Sequence, residues 1–425
     1  MPATSSSDRP RHNIPLGRVT ACQVCGSPEL HEVLDLGCQP LCDSLLTAEQ
    51  LSEPETFYPL RQMWCSNCTL SQLDYVVPGD VVYHNSYPYR TGVTRELVEY
   101  QEQLAASIIS QLRLPEDSLV VDIGCNDATL LQHFRNSSMR VVGVEPTNIA
   151  EYATAAGVDV LNCFFDREAA RQIVESHGHA RVVTATNVFA HMASIGDVID
   201  GLETLVADDG YFVLENHYLV PVMERMQFDT IYHEHLRTYS LKSLVTLFGY
   251  YDFQVVRAEK VSRYGGNIRV YVAKGKHRTP DATVSEILAE EEKTLTNPSY
   301  YERFRRESIR LKNELLKFLI AEADRGHPVI GNSCPGRCST LLNFAGVGPD
   351  LMPFLCEQPT SLKLGLYLPG QHLPIVNNQR LIEEQPESVL LLAWHYAEPI
   401  ARQLRERGLR SKLYVPMPSL QRLDI

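Results

Sequence analysis

Residues 118–134 read SLVVDIGCNDATLLQHF, and this stretch limits the fold more than any other in the chain. SLVVDIG is an apolar run of strand length, suited to burial on both faces of a parallel sheet. GCND is a tight turn, and ATLLQHF opens a helix with one apolar face. MRVVGVEPT (139–147) then supplies a second strand ending in an acid, Glu145. Strand, glycine loop, helix, strand and acid is the order of a doubly wound, Rossmann-like α/β sheet, which binds a nucleoside at the carboxyl ends of its strands. The alternation continues through ARVVTATNVFAHM, which reads as a strand running into a loop with Asn187 and His191. LVADDGYFVLENHY reads as a turn at Asp208-Asp209-Gly210 and a strand ending at Glu215.

The turn is not G-x-G-x-x-G. Only Gly124 is present, and Asp127 and Ala128 stand where further glycines would be. A dinucleotide needs that cradle for its pyrophosphate. S-adenosylmethionine has no phosphate and does not, so the loop favours a methyltransferase over a nicotinamide enzyme. Asp122, Gly124, Asn126, Asp127, Glu145 and Asn187 fall at or near strand ends and are the candidate cofactor residues, with Glu145 expected on the ribose hydroxyls.

Ahead of this region lie two Cys-x-x-Cys pairs, Cys22/Cys25 and Cys65/Cys68. Four thiolates in a tetrahedron suit structural zinc and leave no open position for a substrate. Cys38 and Cys42 lie between the pairs as possible substitutes. A domain of roughly 75 residues would draw much of its stability from such a metal. The 11 cysteines are odd in number and spread over 425 residues, which points to a reducing cytoplasm and not to a disulfide scaffold. The net charge of -13 argues against nucleic-acid and anionic-membrane partners. No apolar run approaches the roughly 18–20 residues of a membrane span, and the polar N-terminus carries no apolar core of a secretory signal.

FDTIYHEHLRTYS (228–240) gathers two histidines, a glutamate and two tyrosines. It does not fit the helical zinc pattern H-E-x-x-H. Further on, residues 281–329 read as charged helices broken at Asn297-Pro298. PVIGNSCPGRCSTLLNFAGV then repeats strand, loop and helix, where backbone amides and Arg337 would suit a phosphate.

Taken together, the paired cysteines, YPYRTGVT (87–94), DIGCNDATLL (122–131), TNVFAH (186–191), FDTIYHEHLRTYS, YGGNIRVYVA (264–273), GNSCPGRCSTLLN (331–343) and LYLPGQHLPIV (366–376) resemble the three-domain nucleotide-sugar C-methyltransferases. The resemblance implies a zinc-binding N-terminal domain (1–78), a central Rossmann-like class I methyltransferase domain (79–256) and a second α/β Rossmann-like domain (257–425) that closes over the nucleotide. It implies an S-adenosylmethionine-dependent monomer that methylates a ring carbon, usually C3′, beside the ketone of a TDP-linked 4-keto-deoxysugar. His235 would be the base. Glu234 would orient it or contact the sugar, Tyr232 and Tyr87 or Tyr89 would hold the ketone or enolate oxygen, and His191 would touch the same sugar edge. Substrate contacts are implied from Arg90, Asn267, Arg337 and Tyr367. The chain departs from the family at Ala128, Tyr264, Ser333, Arg337 and Cys338, where Gly, His, Gly, Lys and Gly are usual. His233 is expected to be structural, since alternation turns it away when His235 faces the site.

Overall fold

The computed structural model describes residues 15–83, 90–93 and 95–424; the expected site tyrosines Tyr87 and Tyr89 lie outside these residues. Among the described residues there are four sheets, one of them a two-stranded ribbon of Gly17–Arg18 and Tyr75–Val76, and the other three organise the chain. The first is antiparallel and contains β1 (Leu30–Gln39), β2 (Tyr58–Cys65) and β3 (Ser71–Leu73). Its fourth strand is Arg237–Thr238, which pairs with Gln72 and Ser71 from far along the chain.

The central sheet has seven strands: β4 (Leu119–Ile123), β5 (Arg140–Val144), β6 (Asp159–Leu161), β7 (Ala180–Thr186), β8 (Val206–His217), β9 (Phe253–Val261) and β10 (Asn267–Lys274). Their order across the sheet is β9-β10-β8-β7-β4-β5-β6. All pairings from β8 to β6 are parallel, and β10 runs antiparallel to both its neighbours. Every residue of β4 is buried, as its unbroken apolar run requires. The expected turn at Asp208-Asp209-Gly210 does not interrupt β8. The register shifts between Val206 and Tyr211, so those residues form a bulge inside one long strand whose end is His217, two residues past Glu215. Position 256/257, where the sequence suggests a boundary, lies inside β9, because a hairpin through Gly265-Gly266 returns the chain into the same sheet as β10.

Helix α1 (Arg95–Leu112) buries Leu97, Gln101, Leu104, Ala105 and Ile108, the spacing of one helical face. Helix α2 (Thr129–Asn136) follows the glycine loop. The charged stretch forms Ala282–Thr294 and then α3 (Pro298–Asp324), which opens with Pro at its first turn and the Asn297 side chain capping Ser299 N at 3.0 Å. Tyr301 of α3 stacks on Trp64 of β2 with ring centres 4.3 Å apart, so the third region packs on the first.

The third sheet contains β11 (Ile330–Asn332), β12 (Leu355–Glu357), β13 (Ile375–Asn377), β14 (Ser388–Leu391), β15 (Lys412–Val415) and β16 (Gln421–Leu423), in the order β13-β12-β11-β14-β15-β16. Only β16 is antiparallel. After β11 the chain turns into α4 (Gly336–Ala345), repeating the strand–loop–helix of the central sheet. Among the described residues no helix is long and apolar enough to cross a membrane.

Candidate active site

The four paired cysteines converge. Cys22 Sγ lies 3.5 Å from Cys68 Sγ and Cys25 Sγ lies 3.5 Å from Cys65 Sγ, and all four sulfurs fall within 4.8 Å of one another. A tetrahedral zinc with Zn–S near 2.3 Å has sulfur–sulfur edges of about 3.8 Å, so the donor set fits that ion. The amides of Val24 and Cys25 point at Cys22 Sγ, both at 3.5 Å, as they would at a metal-bound thiolate. Cys38 is exposed and Cys42 lies elsewhere, so neither belongs to this group.

The carboxyl ends of β4, β5, β7 and β8 open into a cavity of about 680 Å³ that also takes in Asp43 from the first region and Arg337 and Lys363 from the third. At the nucleoside end, Gly124 has φ +70°, and a Cβ there would come within 2.5 Å of Val188. That turn needs glycine both for its backbone and for its close approach to the β7 loop. Glu145 is buried on the cavity wall. Its Oε1 accepts from Thr147 N at 2.9 Å and Thr147 Oγ1 at 2.7 Å, and its Oε2 accepts from Asn126 N at 3.0 Å. Each carboxylate oxygen offers about two lone pairs, so capacity remains on Oε2 for a hydroxyl. Asp122 accepts from Thr184 Oγ1 at 2.6 Å, and burial raises its carboxyl to about 7. Asn187, at φ +55°, accepts from Asn267 Nδ2 at 3.2 Å and leaves its own buried Nδ2 without a partner among the described residues. An acid, a free amide donor and a glycine turn at the strand ends fit a nucleoside with an amino-acid tail.

The expected residues divide. Asp122, Gly124, Asn126, Glu145, Asn187, His191, Tyr232, Glu234, His235 and Arg337 all line the cavity. Asp127 does not. Its Oδ2 accepts from Gly92 N at 2.8 Å, and its Oδ1 accepts from Thr129 Oγ1 at 2.6 Å; Asn126 Oδ1 accepts from Thr91 N at 2.9 Å. These two side chains pin the 91–93 turn onto the glycine loop. Arg90, 3.7 Å from Asp127 and over the ring of Tyr152, belongs to that clamp. Asn267 sits behind the wall, holding Asn187 and Glu215. Tyr367 is also off the wall; its backbone bridges to Leu46 and joins the first and third regions.

At the opposite end of the cavity, the 228–240 run crosses between two sheets. His233 Nε2 lies 3.3 Å and 3.2 Å from the carbonyls of Tyr58 and Pro59 at the first sheet. His235 turns the other way. Its Nδ1 lies 2.7 Å from the Thr230 carbonyl, which can only accept, so the proton is on Nδ1 and Nε2 carries the lone pair. Around it stand Tyr232, His191 and His217, with ring centres at 3.9, 4.9 and 5.0 Å. Burial, then the neighbouring imidazoles, holds His235 well below the ordinary histidine range, and burial puts His191 at about 4. Burial and the nearby Glu234 carboxylate push the Tyr232 phenol up, so it stays a hydrogen-bond donor.

Two further clusters close this end. The Cys42 thiol donates to Glu234 Oε1 at 3.4 Å, and the adjacent Asp43 Oδ1 lies 3.0 Å from Lys363 Nζ. Cys42, Asp43 and Glu234 are near enough for a shared ion, but the Lys363 ammonium already supplies the positive charge there. Arg337 donates to Asp229 Oδ1 at 2.9 Å, to Gln227 Oε1 at 3.1 Å and to His395, while Asp229 Oδ2 accepts from Trp394 Nε1 at 2.8 Å.

Several residues at the site escaped the sequence reading. His217 was legible in principle, since it shares a strand face with Glu215. Arg237 is almost wholly buried and donates to the carbonyls of Met192 at 2.7 Å and Ala193 at 3.3 Å, which ties the His191 loop to the His235 run. Asp43 and Lys363 carry no local signal, because their pairing is made only by the fold.

Family models match almost end to end: a zinc binding domain over residues 22–83, a methyltransferase domain over 97–258 and a C-methyltransferase C-terminal domain over 262–418. The chain is 34% identical over 407 residues to the C-methyltransferase NovU of Streptomyces niveus, covering 94% of this chain and 96% of that one. Among solved structures, the Burkholderia thailandensis 1,6-didemethyltoxoflavin-N1-methyltransferase covers 51% of this chain and 96% of its own at 17% identity and TM-score 0.35. The magnesium protoporphyrin IX methyltransferase of Synechocystis PCC 6803 covers 42% and 83% at 15% identity and TM-score 0.33. Likenesses that distant carry no weight for function. The curated relative and the family models set aside the nicotinamide alternative, and the chain belongs to the zinc-containing, S-adenosylmethionine-dependent C-methyltransferases.

Proposed function

We propose that the protein methylates a ring carbon next to the ketone of a TDP-linked 4-keto-deoxysugar, at C3′, with C5′ or a differently activated sugar as the alternative. The observation that carries this reading is His235: its Nδ1–H is committed to the Thr230 carbonyl and its Nε2 lone pair is left for a ligand. Carbon is a poor nucleophile until it loses a proton, and only a carbon beside a carbonyl loses one readily. His235 Nε2 takes that proton, and the electron pair of the C–H bond moves into an enolate. Tyr232, held as a neutral phenol, donates to the oxygen as charge develops, the kind of interaction that typically supplies a few kcal/mol. The imidazolium that forms lies against the Tyr232 ring at 3.9 Å, where the aromatic face favours a cation. When bound, S-adenosylmethionine supplies an electrophilic methyl group on a sulfonium. Glu145 receives its ribose, and Asp122 and Asn187 face its amino-acid end. Glu234, fixed by Cys42, borders the sugar, and Arg337 and Lys363 give the nucleotide end its positive charge.

Mass spectrometry after incubation with methyl-labelled cofactor and a panel of TDP-4-keto-deoxysugars tests the reading. The expected product is a sugar nucleotide heavier by one labelled methyl, with label on a ring carbon by NMR. Label found on oxygen, or none transferred to any keto sugar, removes the enolate chemistry.

A further inference from the structure

His217 has no part in the mechanism so far, yet it sits within it. It is the last residue of β8, paired to Asn267 of β10, so its backbone is fixed by the sheet. Its ring lines the cavity between that of the base, 5.0 Å away, and that of Tyr264, 5.9 Å away. Its Nδ1 is shut off from solvent and has no hydrogen-bond partner among the described residues. Buried polar atoms in folded proteins are nearly always paired, so an unpaired ring nitrogen in a residue that borders a cavity calls for a role, an ordered water or a bound molecule being the usual partner. Asn187 Nδ2, just past the end of the adjacent strand β7, is buried and unpaired in the same way.

Resting on the reading of His235 as the enolising base, we propose that His217 is a further substrate-contacting catalytic residue. Its imidazole N–H donates to the ketone oxygen of the acceptor and holds the enolate that His235 creates. Two rings with centres 5.0 Å apart reach neighbouring atoms of one ligand, the base at the carbon and the donor at the oxygen. The proton lost from carbon goes to His235 Nε2, and no proton leaves His217. Burial and the cations Arg337 and Arg263 keep His217 neutral, and a neutral imidazole polarises a carbonyl without bringing a second charge beside the base. An acceptor without an oxygen at this position would leave the ring unpaired, so His217 also selects for the ketone.

The test is proton exchange. The full-length enzyme, with S-adenosylhomocysteine in place of the methyl donor, is incubated in heavy water with TDP-4-keto-6-deoxyglucose, and loss of both α-proton signals is followed by NMR. His217→Phe keeps the aromatic packing and removes the donor. It is expected to slow exchange by at least tenfold and up to about 10³-fold, the range for an oxyanion donor, with affinities for S-adenosylhomocysteine and TDP unchanged. His217→Gln, which retains an N–H donor, is expected to recover most of the exchange. Wild-type exchange in His217→Phe overturns the assignment and leaves His235 untouched. Loss of affinity for both ligands in both variants marks a scaffold role and overturns it too. Exchange absent from the wild-type enzyme brings down the enolate reading, and this one with it.

Discussion

Single residues carry the chemistry, and their environments separate roles that their identities do not. His233 and His235 are two positions apart and both border the cavity, but the His233 ring is tied to the carbonyls of β2 while the His235 ring stands among those of Tyr232, His191 and His217. The sequence reading expected this division from strand alternation, but residues 232–235 form a turn closed by the His235 amide and the Tyr232 carbonyl at 2.9 Å, and the turn is what parts the two rings. His235→Asn is expected to leave both ligands bound and to lower turnover by about 10²–10⁴, the usual range for a positioned base; unchanged turnover would make the histidine structural. Glu145→Ala should weaken S-adenosylmethionine binding by roughly 1.5–3 kcal/mol, the scale of charge-assisted hydrogen bonds, and equal affinities by calorimetry would remove it from the ribose. What the sequence hides at this scale is competition for the same side chain. Asp127 stands in the glycine loop like its neighbours, yet its carboxylate is used up by Gly92 and Thr129. Nothing local announces that partner, because the 91–93 turn reaches it only through the fold.

Among the elements, strands bounded by turns were readable because burial on both faces leaves a continuous apolar run, as in β4. The bulge in β8 was not: Asp208-Asp209-Gly210 has the composition of a turn, and only the pairing with β7 at Val206 and again from Tyr211 keeps it within a strand. The two-residue strand Arg237–Thr238 is shorter than any periodic signal. Its effect is large for its length. It completes the first sheet through Gln72 and Ser71, and Arg237 reaches back to the loop bearing His191. Replacing Arg237 by Met leaves the Met192 and Ala193 carbonyls unpaired in the interior, at about 1–3 kcal/mol for each buried group. Arg237→Lys offers a point charge in place of a fork and should recover only part. Denaturant midpoints that do not fall for either variant would show the guanidinium to be dispensable.

For the whole molecule, metal and pH are the levers. One zinc per chain is expected on Cys22, Cys25, Cys65 and Cys68; less than half a zinc in protein purified without chelator, or full retention after Cys65→Ala and Cys68→Ala together, would contradict it. Five histidines, His233 and His235 buried and His191, His217 and His395 half-buried, are held below their ordinary range chiefly by loss of solvent: His191 and His233 at about 4, His217 at about 3, and His235 and His395 by direction. Unfolded, each takes a proton near pH 6.5; folded, each resists until lower pH. The unfolded chain therefore binds more protons as pH falls from about 6.5 toward 4, and stability drains away across that window. Asp122 opposes this. With its carboxyl raised to about 7 it is protonated in the fold where the unfolded side chain is ionised, so its contribution falls as pH rises from about 4 to 7. Glu291, its carboxyl also raised by burial, acts in the same sense as Asp122, and five groups against two leave the acid limb dominant, at roughly 1.4 kcal/mol per pH unit for each net proton. Melting temperature should fall steeply between pH 6.5 and 5, and a flat profile there would show that the histidines are hydrated.

The strand that closes the first sheet has a consequence for synthesis. The chain emerges from the ribosome amino end first, and β3 is made long before the residues that pair with its open side. At about 5–20 residues per second, the interval from Leu73 to Thr238 lasts on the order of 10–30 s. For that time the nascent metal domain presents a bare edge of unpaired amides and carbonyls, the kind that recruits strands from other chains. The cysteines can gather their ion early, but the sheet beside them waits for the central domain's own active-site segment. A newborn copy that stalls in between would have the metal bound and the edge exposed, so crowded translation of this protein is where misassembly should concentrate.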